Sequence, residues 1–151
     1  MSEPTVFDKI VSGEVPAKFV WEDEHYLAFL SRWPNTPGFT VVIPRQNPGD
    51  NYIDVDSEAY TGLLLAARKV AGLLRKAFNT YRVGLVIEGE GVPYLHAKLI
   101  PMHGVTGEQR HYEHEATFTE TYKGFLNTGN GPEMSDEELT KIQQKILEAA
   151  K

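Results

Sequence analysis

Apolar residues along this chain recur with two different periods, and the switches between them mark out the elements. Val6, Phe7 and Ile10 are spaced as on one side of a helix, which predicts a short helical turn over residues 5–11, stopped by Gly13. Pro16 leads into a strand over residues 18–22, Asp23-Glu24 makes a turn, and Tyr26–Leu30 returns as the second strand of a hairpin. Residues 31–38 are a loop by their Pro and Gly content, and 39–43 are apolar enough for a central strand that Pro44 ends. Asp56-Ser57-Glu58 then offers an N-cap with an acidic first turn. Behind it Tyr60, Leu63, Leu64, Ala67, Val70, Ala71, Leu74 and Phe78 form a continuous helical stripe, which is core packing and not a cofactor box. Residues 81–87 and 92–100 predict two more strands around the loop Glu88-Gly89-Glu90-Gly91.

From Met102 onward the pattern changes. Residues 104–114 are loop-like, 117–122 alternate as a strand or extended arm, and 127–132 are a connector rich in Asn and Gly. Ser135 with Glu138 is a capping box that opens a C-terminal helix. Its stripe of Leu139, Ile142, Ile146 and Leu147 needs a surface to pack on. The order short helix, hairpin, strand, long helix, two strands predicts an α+β fold: a five-stranded antiparallel sheet with the helices on one side. Residues 1–104 read as the main domain and residues 105–151 as an extension packed on it.

Composition narrows the class. A chain of 151 residues suits one domain with a single core. Its formal charge of −6, without a Lys/Arg run, argues against sequence-independent nucleic-acid binding. The absence of cysteine excludes disulfides and thiolate metal sites. No apolar run approaches a membrane span and the first residues are polar, so a cytoplasmic protein is expected.

Candidate chemistry gathers in residues 92–101, Val-Pro-Tyr-Leu-His-Ala-Lys-Leu-Ile-Pro. If the alternation holds, Leu95, Ala97 and Leu99 face the core while Tyr94, His96 and Lys98 share the other face. That face carries a phenol, an imidazole and an ammonium with nothing apolar between them. Either it is an ordinary sheet surface, or it is a site.

The stretch resembles the signature of the histidine triad family, in which a strand carries His-apolar-His-apolar-His followed by two apolar residues. Upstream, Phe7-Asp8-Lys9-Ile10, Gly13-Glu14-Val15-Pro16-Ala17, Leu27-Ala28-Phe29-Leu30 and Asn35-Thr36-Pro37-Gly38-Phe39-Thr40-Val41-Val42-Ile43-Pro44-Arg45 continue the likeness in order, over residues 4 to 104. Only the middle histidine is kept, as His96; Tyr94 and Lys98 occupy the outer positions. The resemblance implies a fold of this layout and a homodimer that pairs through the long helix and a sheet edge. It also implies a hydrolase or transferase acting on the α-phosphate of a nucleotide conjugate, such as a dinucleoside polyphosphate or nucleoside phosphoramidate. The middle histidine attacks phosphorus, and water then releases the monophosphate. No cofactor or metal is implied.

Carried over residue by residue, His96 is the nucleophile, which requires a neutral ring oriented by an acceptor on its other nitrogen. Lys98 would neutralise phosphoryl oxygens as a point charge and, as a neighbouring cation, lower the pKa of His96. Tyr94 would hydrogen-bond the nucleotide through its hydroxyl or merely pack. His103, just beyond the strand, is a candidate for the lost acid/base group at the pocket mouth. Val6, Phe7, Ile10 and Phe29 match the base pocket by position. Ser31 stands where the family's ribose-binding acid is expected, with Arg32 able to compensate through a phosphate or base contact and Glu90 able to accept the ribose hydroxyls. The Gly-Gln-Ser/Thr phosphate cradle is missing. His111 and His114, three apart among glutamates, read as solvated loop rather than a metal site. The departures leave two alternatives: a degenerate member that binds a nucleotide or partner without turnover, and a scaffold in which dimer and C-terminal helix matter more than the pocket.

Overall fold

The computed structural model describes residues 3–108 and 132–151. The elements run α1 (Val6–Val11), β1 (Phe19–Glu22), β2 (Tyr26–Leu30), β3 (Thr40–Pro44), α2 (Ser57–Phe78), β4 (Val83–Val86), β5 (Ala97–Pro101) and α3 (Asp136–Ala149). Short-range chemistry fixes the helix starts. The Thr5 hydroxyl accepts from the Asp8 N–H at 3.2 Å while the Asp8 carboxylate accepts from the Thr5 N–H at 2.7 Å, a reciprocal cap. Asp56 accepts from the Ala59 N–H at 2.8 Å to open α2, and Ser135 and Glu138 close the expected box at α3.

All strand pairs are antiparallel, in the order β1-β2-β3-β5-β4. The sheet has five strands, as the sequence predicts, but β5 is half the expected length. Residues 92–96 are not strand: Gly91 sits at φ +90°, Pro93 has no N–H to give, and the Leu95 N–H donates to the Gly49 carbonyl at 2.6 Å instead of to a ladder. Ladder pairing with β3 therefore begins only at Val42↔Ala97.

The helices also divide between the two faces, where one side was expected. Ala28, Leu30, Val42, Ala97 and Leu99 face α2 and α3, forming one core with Leu63, Ala67, Val70, Leu74, Leu139 and Ile146. Leu27, Phe29, Val41 and Ile43 face the other way and pack under α1 with Phe7 and Ile10. The inner strands are thus buried on both sides, which explains their continuous apolar runs. Gly62 lets α2 come close to β2, since a Cβ there would lie 1.9 Å from the Tyr26 hydroxyl. The α3 helix is joined to β1 by the Gln143 amide, which donates to the Phe19 carbonyl at 2.7 Å. No helix among the described residues is long and apolar enough to cross a membrane. The possible arm over 117–122 and the His111/His114 pair lie outside the described residues.

Candidate active site

A cavity of about 330 Å³ opens on the α1 face of the sheet, a volume that suits a nucleoside. One end is apolar, lined by Val6, Phe7 and Ile10 of α1, Phe29 of β2 and Val41 of β3. All of these but the exposed Val6 also form the second core, so most of the wall is close-packed core. The other end is polar and carries His96 and Lys98, with Glu90 and Gly91 from the loop between β4 and β5.

His96 is 2% exposed and sits one residue before β5. Its Nδ1 lies 2.6 Å from the Tyr94 carbonyl oxygen. A carbonyl can only accept, so Nδ1 carries the proton and Nε2 is left with a free lone pair. The Phe7 ring stands edge-on to the imidazole, centroids 5.3 Å apart, and holds it from a second side. Burial is the main influence pushing the imidazole below its ordinary pKa of 6.5, and the Lys98 charge adds to it; the Tyr94 carbonyl and Glu88 pull the other way. The result is a neutral, oriented nitrogen base.

Lys98 follows two residues later in β5 and is ion-paired with Glu88, which lies just past β4. Their side chains are only 14% and 20% exposed, so the pair belongs to the polar end and not to the solvated surface. The loop that carries Glu88 is drawn tight at Gly89, where φ is +73° and a Cβ would lie 2.8 Å from the Asp50 carbonyl oxygen. Arg32 lines the cavity as well, yet its guanidinium is engaged by Asp136 at 2.9 Å and by Glu133 at 3.9 Å, at the start of α3. Ser31 lines the wall with its hydroxyl accepting from the Trp33 N–H at 3.2 Å.

A HIT-domain family model matches residues 12–105. The chain belongs to the HIT family. It is 32% identical over 107 residues to an uncharacterised HIT-like protein of Methanocaldococcus jannaschii, covering 68% of this chain and 82% of that one. Among solved structures it resembles a HIT-like protein involved in cell-cycle regulation from Bartonella henselae, with TM-score 0.75 and 25% identity over 98% of this chain and 97% of that one. It also resembles a hypothetical histidine triad nucleotide-binding protein of Sulfolobus tokodaii, with TM-score 0.73 and 25% identity over 95% and 90% of the two chains.

Within this HIT fold most of the residues singled out from sequence converge. Val6, Phe7, Ile10, Phe29, Ser31, Arg32, Glu90, His96 and Lys98 all line the one cavity. Tyr94 does not. Its side chain is on the α1 face but fully buried, edge-on to Phe7, and its hydroxyl donates to the Pro44 carbonyl at 2.7 Å. Burial, with a smaller contribution from the Asp8 charge, pushes that phenol up to about 12, so it stays protonated. Tyr94 thus acts on the site through its backbone carbonyl, not its ring. His103 is also absent from the cavity lining: its Nε2 lies 2.8 Å from the Pro37 carbonyl oxygen and its ring stands edge-on to Phe78.

Sequence reasoning missed three contributors. Glu88 appeared only as a loop residue, although Val86 pairs with Lys98 in the ladder and its neighbour two along lies within reach. Lys18, at the entry to β1, lines the cavity. Leu139 reaches the cavity from α3, more than a hundred residues along the chain from Leu30, with which it shares a core, and no local signal could have placed it. Among the described residues no group of three His, Asp or Glu side chains is arranged to hold a metal ion.

Proposed function

We propose that this HIT protein is a nucleotide-binding hydrolase or transferase that acts on the α-phosphate of a nucleotide conjugate through His96. The observation that carries this reading is the buried, neutral imidazole whose Nδ1–H is committed to the Tyr94 carbonyl, which leaves Nε2 for phosphorus at the polar end of a nucleoside-sized cavity. In the proposed reaction Nε2 forms an N–P bond as the bond from phosphorus to the leaving oxygen or nitrogen breaks, and the leaving group takes its proton from solvent. The nucleotidyl-imidazolium is cationic, and Glu88 beside it opposes that charge. Water then attacks phosphorus, releases the nucleoside monophosphate and loses its second proton, and His96 returns neutral. The base is placed against Phe7, Ile10 and Phe29, where a nucleobase would bury its apolar faces. A homodimer, implied by the family likeness, and a cytoplasmic location, expected from the sequence, belong to the same reading.

A second reading has its own support: both Lys98 and Arg32 are already paired with carboxylates, as in a binder that has lost its phosphate cradle. A hydrolysis panel separates the two, with a nucleoside phosphoramidate and a dinucleoside polyphosphate as substrates. Release of nucleoside monophosphate by wild type, absent in His96→Ala, supports the enzyme. Nucleotide binding by calorimetry without turnover of any member moves the assignment to the binder.

A further inference from the structure

We propose that Glu88 sets the charge of substrate that the site accepts, so that it takes a nucleoside phosphoryl group carrying a single negative charge and turns away chains of phosphates. This rests on the nucleotide reading above and specifies its substrate class.

The argument is a charge balance. Three cations line the cavity: Lys18, Arg32 and Lys98. Lys98, two residues from the nucleophile, is neutralised by Glu88 in a largely buried pair, where solvent does little to screen either charge. Arg32 is neutralised by Asp136 and Glu133. Lys18 makes no ion pair among the described residues, but it precedes the edge strand β1, where its carbonyl accepts from the Leu30 N–H at 3.0 Å, and β2 and β3 lie between that strand and the β5 strand of Lys98. Glu90 adds a further carboxylate on the polar side. An ammonium has three donors, and Glu88 leaves Lys98 able to give one to a phosphoryl oxygen. A phosphodiester or phosphoramidate, with one negative charge, meets that supply. Each further phosphate adds a negative charge beside Glu88 and Glu90, where the described lining residues offer no cation besides Lys98. Glu88 is therefore a specificity-determining residue, acting through Lys98.

Calorimetric titration of nucleoside 5′-mono-, di- and triphosphates of all four bases tests this on wild type, Glu88→Gln and Glu88→Asp, with melting curves to confirm folding. Wild type is expected to bind the monophosphate most tightly and to weaken with each added phosphate. Glu88→Gln is expected to tighten the triphosphate by about tenfold, from one like charge removed at close range, while the monophosphate changes much less; Glu88→Asp keeps the wild-type order. An unmoved ratio in Glu88→Gln, or a wild type that prefers triphosphate, overturns the proposal and leaves the nucleotide reading intact. Should Glu88→Gln fail to fold, the wild-type order decides alone. A wild type that binds none of the series overturns the nucleotide reading and this inference with it.

Discussion

The two ends of the cavity are built by different physics. The apolar end is core that happens to be open: Phe7 touches Phe29 and Tyr94 edge-on, with centroids 5.6 and 5.7 Å apart, and the same contacts hold α1 to the sheet. The polar end is assembled from short-range pairings, His96 with the Tyr94 carbonyl just before the ladder begins and Lys98 with Glu88 within it. Substitutions at the first end should therefore cost folding and binding together. At the second end they should change chemistry and its pH dependence while the fold survives.

The sharpest way to break that contrast is Phe7→Ala, expected to lower stability by about 3 kcal/mol, the usual cost of truncating a buried aromatic, and to weaken nucleoside binding. Chemical denaturation measures the first effect; full stability with lost binding would show that the wall is not core after all. Lys98→Gln is expected to lower the midpoint, because the largely buried Glu88 carboxylate loses its cation, while the protein still folds and kcat/KM falls by roughly tenfold to a hundredfold, the scale of one lost charge-assisted contact to phosphate. Its pH profile sharpens the point. His96 is held below 6.5 chiefly by burial, so wild-type activity should persist as pH falls through 6.5 and drop only beneath it. Removing the Lys98 cation lets the ring protonate at higher pH, moving the acid limb up. Removing the Glu88 anion by Glu88→Gln moves it down. Limbs that shift together, or not at all, would deny that the pair tunes the imidazole. The smallest effect is expected at Arg32→Ala, whose partially exposed pairs with Asp136 and Glu133 are worth under about 1 kcal/mol in a thermal melt.

What the sequence made legible follows the same division. Elements built on periodicity read directly: Tyr26–Leu30 matches residue for residue, α2 starts behind its Asp56 cap, and the Phe7/Ile10 stripe gives both α1 and the base-side wall. The family and the position of His96 follow from motif order. The alternation of faces held, with Leu95, Ala97 and Leu99 in the core under α2 and Tyr94 and His96 against Phe7, but the strand did not extend over residues 92–96, because side-chain pattern cannot announce that the Leu95 N–H is spent on Gly49. Tyr94 does lie on the site face, but its phenol is buried under α1 and only its carbonyl reaches the imidazole, which spacing could not show. Long-range partners were not legible either. Asp136 holding Arg32, and Leu139 closing the cavity, depend on where α3 docks, and local spacing carries no such information.

The central claim is that Nε2 of His96 forms a covalent bond to the α-phosphorus. Intact-protein mass spectrometry of enzyme quenched during turnover of a nucleoside phosphoramidate tests it most directly. A mass increase of one nucleotidyl group on wild type, acid-labile as an N–P bond should be and absent from His96→Ala, is the predicted result. Turnover in wild type and His96→Ala alike, with no adduct on either, would contradict it.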